Sequence, residues 1–240
     1  MPQPNKITSW SFSRWSTYNQ CPLKAKLKFI DKMAEPGSPA MERGSKIHTD
    51  IEHYIKGAVP RLHKDADPTK AFGALFRDLR RAKAKDDDAV SIEDTWAYRA
   101  DWTETTYDDW SHCWLRIKID CATVEGTEDN VVVGIRDWKT GKYRKQNESD
   151  YALQLDLYAL GALTLYQDTK EVTVQPTLVY VDEGVTHATG VYTKTDLPRL
   201  KKEWTARVKP MLADTKFAPK PNNFCRWCHF RKENGGPCKF

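Results

Sequence analysis

"VVVGIRDWKTGKYRKQ", residues 131–146, opens as a run of β-branched and apolar residues and then breaks into charge. Val and Ile suit a half-buried strand, and in a strand residues i and i+2 face the same side. Asp137 and Lys139 therefore stand side by side at the end of the strand. Thr140-Gly141 then stops it, and the basic residues Lys142, Arg144 and Lys145 follow. Such a pair is either a surface ion pair worth about 0–1 kcal/mol or two halves of a site.

The stretch before it extends the second reading. LRIKID (115–120) ends on Asp120, and CATVEGTEDN (121–130) has the composition of a hairpin connection. Two neighbouring antiparallel strands would bring Asp120 close to Asp137. Carboxylates that close repel unless a cation sits between them, and hard divalent ions such as Mg²⁺ or Mn²⁺ take oxygen ligands. Lys139 beside such a pair can orient or deprotonate a water, or offset charge on a phosphate.

The rest of the chain sets the frame. At 240 residues with 40% hydrophobic and 30% charged residues, it has the make-up of an ordinary soluble globular protein with a sizeable core, and its order of helices and strands reads as a single α/β core. No apolar run is long enough for a bilayer, and MPQPNKITSW lacks a secretion signal, so a cytoplasmic protein without membrane association is expected. A net charge of +5 is compatible with a polyanionic partner. No GxxxxGK[ST] loop is present, so the chain reads as carrying no ATP motor of its own.

Residues 8–30 read as a helix, a break at Cys21-Pro22 and a second basic helical segment. MERGSKIHTDIEHYIKG (41–57) spaces Gly44, His48, Ile51 and Ile55 for one helix face. A helix over 68–85 follows, then strands in SIEDTWAYRADW, HCWLRIKIDCATV and VVVGIRDWK. SDYALQLDLYALGALTLYQ (149–167) reads as a helix that places Gln154 and Tyr158 on one side. Strands in 172–183 and 186–194 should pair through Glu183-Gly184, before a helix over 195–214 and a loop-like tail. Without a repeat or linker, one domain spanning 1–240 is expected.

Asp120 followed by Asp137-Trp138-Lys139 resembles the bipartite motif of the PD-(D/E)XK nuclease superfamily. Gly44-Ser-Lys-Ile-His48 resembles the helix-borne histidine motif of its RecB/AddB-type branch, and Gln154-Leu-Asp-Leu-Tyr158 that branch's Q-x-x-x-Y motif. Cys21 with Cys225, Cys228 and Cys238 resembles the split four-cysteine iron–sulfur frame of the same group, which includes CRISPR-associated adaptation nucleases and phage exonucleases. The resemblance runs from residue 8 to the last residues. The nine-residue gap between Cys228 and Cys238 is longer than that group's compact spacing.

The resemblance implies a restriction-endonuclease-like core: a mixed central sheet flanked by helices, with residues 1–30 and 215–240 joined by a metal cluster. It implies a metal-dependent deoxyribonuclease, an exonuclease of phage or mobile-element recombination, repair or DNA processing. His48, Asp120, Asp137 and the Trp138 carbonyl would hold Mg²⁺ or Mn²⁺, and Lys139 would position the attacking water. Gln154 and Tyr158 would meet the DNA backbone or the lysine, and Lys142, Arg144 and Lys145 would grip flanking phosphates. DNA, single-stranded or with free ends, would be the substrate, and a separate helicase or recombination protein a partner. Cysteine spacing alone accepts zinc or iron; the resemblance favours [4Fe–4S]. The same fold acting as a non-cleaving DNA-end binder, or on RNA, is the alternative.

Overall fold

A computed structural model describes residues 5–240. Contacts divide the chain into two units: residues 39–96 with 117–201, and residues up to Ser38 with 97–116 and 202–240. The first unit holds α3 (Pro39–Ile55), α4 (Gly73–Lys85), α5 (Glu148–Leu165) and most of a six-stranded sheet. The second opens with α1 (Phe12–Gln20) and α2 (Pro22–Ala25), and takes most of α6 (Leu197–Ala213). Among the described residues no helix is long and apolar enough to cross a membrane.

The sheet runs β1 (Val90–Tyr98), β2 (Leu115–Gly126), β3 (Asn130–Lys139), β4 (Glu171–Tyr180), β5 (Val185–Ala188), with β6 (Tyr192–Thr193) also paired to β4. β2 and β3 are antiparallel, with Cys121 opposite Arg136. β3 and β4 are parallel, with Asp137 opposite Leu178, and parallel neighbours need a long crossover. That crossover is α5, so this is a mixed α/β sheet flanked by helices.

Alternation along β3 sorts its side chains. Val131, Val133, Ile135 and Asp137 are buried on one face, while Trp138 turns to the other and meets Phe76 of α4 edge-on, ring centroids 5.4 Å apart. Ile47, Ile51 and Ile55 of α3 join the same cluster. On the opposite face α5 is buried almost all round over 155–164, as a crossover covered by protein should be. At Gly161 a Cβ would meet Ile117 Cδ1 at 2.6 Å and Trp96 at 2.8 Å, so only glycine lets α5 approach this closely.

Two expectations change. The helix placed at 68–85 begins at Gly73, because Asp67 Oδ1 accepts from Phe72 N (3.2 Å) and holds a turn before it. The strand expected over 186–194 is two short pieces. β5 pairs with 177–180 and β6 with 173–174, and the break faces Pro176, which has no N–H to give a neighbour.

In the other unit the core is aromatic. Trp10 stacks on Trp204 at 5.4 Å and meets Trp114 edge-on at 5.3 Å. The C-terminal tail is tied to the end of α1: Asn222 Nδ2 donates to Gln20 O (2.9 Å) and Lys220 Nζ to Asn19 O (2.8 Å). The turn around Gly235 (φ +79°) returns the chain to pair Arg231 with Cys238.

Candidate active site

The β2–β3 register that sets Cys121 opposite Arg136 brings Asp120 to the level of Asp137 one step further on. Asp120 Oδ2 accepts from Trp138 N at 2.8 Å, which fixes the mid-β2 carboxylate against the end of β3. Asp137 is only 3% exposed. Its Oδ2 lies 2.6 Å from Lys139 Nζ, as expected for neighbours on one strand face. Its Oδ1 accepts from Tyr158 OH (2.7 Å) and Gln154 Nε2 (3.1 Å) of α5. Gln154 Oε1 in turn accepts from Lys139 Nζ (3.1 Å), and Gln154 Nε2 also reaches Tyr158 OH (2.8 Å). Four side chains from one strand and one helix thus close a hydrogen-bonded ring.

His48 comes from α3. Its Nε2 lies 2.9 Å from Trp138 O, and its Nδ1 lies 3.4 Å from Asp120 Oδ1 and 3.6 Å from Glu93 Oε1. The ring thus presents Nδ1 to the carboxylates. Ligand atoms of His48, Glu93 and Asp120 lie within 4.8 Å of one another. Glu93 is the residue that sequence reasoning missed. It sits mid-strand in β1 at φ +53°, and its other oxygen meets Lys118 Nζ at 2.7 Å.

The charges depend on one another. Burial raises the Asp120 pKa, and the Asp137 charge adds to it against the pull of His48. Burial opposes charge on His48, but hydrogen bonds to Asp120 and Glu93 win and raise it to about 10. The His48 hydrogen bond leads in holding Glu93 below its usual value. Burial also opposes charge on Lys139, yet Asp137 keeps it above the ordinary lysine value. Burial pushes Tyr158 well up, so its hydroxyl stays a donor.

Does this set suit a divalent cation? Asp137 Oδ2 is held by the Lys139 ammonium at 2.6 Å, and Glu93 Oε1 faces His48 Nδ1 at 3.6 Å. Three carboxylates and an imidazole, those of Glu93, Asp120 and His48 within 4.8 Å of one another, are a donor set for a hard or borderline divalent ion. The residues fit.

Elsewhere, Lys142, Arg144 and Lys145 are exposed on the loop after β3. Cys21, Cys225, Cys228 and Cys238 line one cavity of about 130 Å³. Among the described residues, no three of their sulfurs lie within 4.8 Å of one another. Cys113 and Cys121 are buried, as expected of small apolar residues.

The sheet thus brings Asp120 of β2 beside Asp137 and Lys139 at the end of β3. Residues 9–232 match the PD-(D/E)XK nuclease superfamily, and the chain belongs to it. Among solved structures it is similar to a candidate exonuclease from Eubacterium rectale at 11% identity, with TM-score 0.45, covering 92% of this chain and 88% of that one. It is also similar to the protein SSO0001 at 11% identity and TM-score 0.30, covering 91% and 95%. No match was found among curated proteins.

Proposed function

We propose that the chain is a divalent-metal-dependent DNA exonuclease. The observation that carries this reading is the convergence of His48, Glu93 and Asp120, whose ligand atoms lie within 4.8 Å of one another, beside Asp137-Trp138-Lys139. His48, Glu93, Asp120, Asp137 and the Trp138 carbonyl would hold Mg²⁺ or Mn²⁺. Such an ion supplies Lewis-acid polarisation of a phosphoryl oxygen and a more acidic water.

The protein's own groups do the rest. Lys139, held as an ammonium by Asp137, donates to the attacking water or to a phosphate oxygen instead of taking a proton. Gln154 and Tyr158 lock Asp137 and Lys139 in one geometry, which limits the reorganisation needed during reaction. Lys142, Arg144 and Lys145 grip flanking phosphates. The exonuclease mode, and a setting in recombination or DNA-end processing beside a separate motor protein, rest on the RecB/AddB-like pattern of His48, Gln154 and Tyr158.

We also assign the four cysteines to a structural [4Fe–4S] cluster. Tetrahedral zinc, with Zn–S of about 2.3 Å, needs thiolate sulfurs about 3.8 Å apart. Four thiols lining one cavity support a shared metal site, and the likeness of their spacing to the split iron–sulfur frame favours iron over zinc.

The test is a time course on end-labelled single- and double-stranded DNA with Mn²⁺, Mg²⁺ or EDTA, comparing wild type with Lys139→Ala. Metal-dependent shortening from ends by wild type alone is expected. Binding without cleavage in either metal would replace the enzyme with a DNA-end binder, and cleavage of RNA alone would change the substrate.

A further inference from the structure

Arg116, at the start of β2, is only 6% exposed, yet among the described residues it has no carboxylate partner. Its Nε donates to Tyr107 O at 2.9 Å. Among the described residues, both Nη1 and Nη2 are buried without a hydrogen-bond partner. The guanidinium lies 4.4 Å from the Trp110 ring centroid and 5.5 Å from that of Tyr107. Cation–π contact compensates such a charge only in part, and an unpaired buried cation is costly to keep.

Among the described residues it forms no ion pair, and Asp109, next to Trp110 in the chain, is engaged by Thr105, His112 and Arg99. A recess of about 150 Å³ next to it is lined by Lys6, Arg14, Lys32 and Trp110 together with apolar and hydroxyl residues, and by no acid. Arg14 donates to Ser9 O and Oγ but forms no ion pair, and both burial and the Arg116 charge lower its pKa. Nearby acids are engaged elsewhere, Asp31 with Lys26 and Glu35 with Lys24 and Lys28. Lys32 is held at φ +55°, a left-handed position uncommon for a lysine.

Trp110 adds a second, different property. It is 72% exposed although Arg116 backs one face of its ring. A large aromatic fixed from behind and open in front is a stacking platform. An anion-seeking recess beside an open indole matches one repeating chemistry, a phosphate followed by an unpaired base.

We propose that this recess is a single-strand nucleic-acid subsite, with an internal phosphodiester against Arg14, Lys6 and Lys32 and its base on the open face of Trp110. Arg116 acts from behind the indole, where its uncompensated charge draws the anion. The choice of nucleic acid over another polyanion rests on the nuclease reading above, and the test separates the two.

Binding of a fluorescein-labelled twelve-nucleotide oligothymidine is measured by anisotropy in EDTA, so that no hydrolysis contributes. Trp110→Ala should weaken binding about fivefold or more, given the usual worth of one base stack. Trp110→Phe, which keeps an aromatic face, should restore most of it. Arg14→Gln should weaken binding and shrink the salt dependence by about 0.7 in log–log slope, because one phosphate is then no longer neutralised. Arg116→Gln should lower affinity too; if that variant fails to fold, the exposed Trp110 pair still decides. Trp110→Ala binding within twofold of wild type would overturn the subsite. So would competition by a closed-end duplex or an acidic peptide as strong as that by the oligothymidine. Mn²⁺-dependent DNA degradation by wild type is scored separately, so the nuclease reading can stand or fall without this one.

Discussion

Asp137 occupies the most constrained position in the site, buried and touched by Lys139, Gln154 and Tyr158. Lys139→Ala keeps those two α5 hydrogen bonds, so the protein should fold and bind DNA while cleavage falls about 100-fold or more. Gel assays on folded protein check this, and near-normal cleavage would remove Lys139 from the chemistry. Glu93→Gln makes a different demand. It neutralises a carboxylate held by Lys118 and His48, so melting temperature should fall only slightly while Mn²⁺ affinity by calorimetry drops about tenfold or more. Unchanged affinity would exclude Glu93 from the metal set. Asp137 and Lys139 were legible in the sequence because strand spacing alone puts them on one face, and Asp120 followed from the hairpin. Glu93 was not. It lies beside Asp94 in a strand whose alternation breaks at its own positive φ, so a period of two does not tell which acid turns inward.

Among elements, the loop leaving β3 is held by acids just past β4. Arg43 of α3 makes a two-pronged bond to Asp182 (2.8 and 2.6 Å), Asp182 Oδ2 also accepts from Gly141 N (2.5 Å), and Glu183 Oε2 accepts from Tyr143 N (2.7 Å). These bonds fix the chain between Lys139 and the basic residues that follow. The Arg43 hydrogen bond leads in holding Asp182 below its usual 3.8. Its contribution is therefore present above the unfolded value and fades as pH falls through the lower, folded one. Asp182→Asn should destabilise by about 1 kcal/mol or less at pH 7, since Arg43 is half-exposed. The difference from wild type should shrink steadily below about pH 4. Denaturant titrations at pH 7 and pH 3 test the sign; a gap that widens in acid would contradict it. The helices and central strands were legible from their periodicities. The split of β5 from β6 was not, because it depends on Pro176 in a neighbouring strand, which only the pairing reveals.

At the scale of the molecule, one unit is drawn from three separated stretches of chain: the residues up to Ser38, 97–116 and 202–240. The cysteine spacing made a link between the two ends legible, but local patterns could not show that the middle segment belongs there too. Cys225→Ser should abolish a broad absorbance band near about 400 nm in anaerobically purified protein and cut its iron content, while Cys113→Ser keeps both. One zinc and no iron would replace the cluster with a single-ion staple. The same three-part assembly governs how the protein is made. Trp10 leaves the ribosome first, and its partner Trp204 and Cys238 come last. At about 5–20 residues per second, roughly 10–50 s separate the first of these from the last. Through that interval Trp10 and Trp15 wait without Trp204, exposed to chaperones. A nascent chain that stalls before its tail emerges would carry every residue of the catalytic ring and still lack the unit that closes its ends.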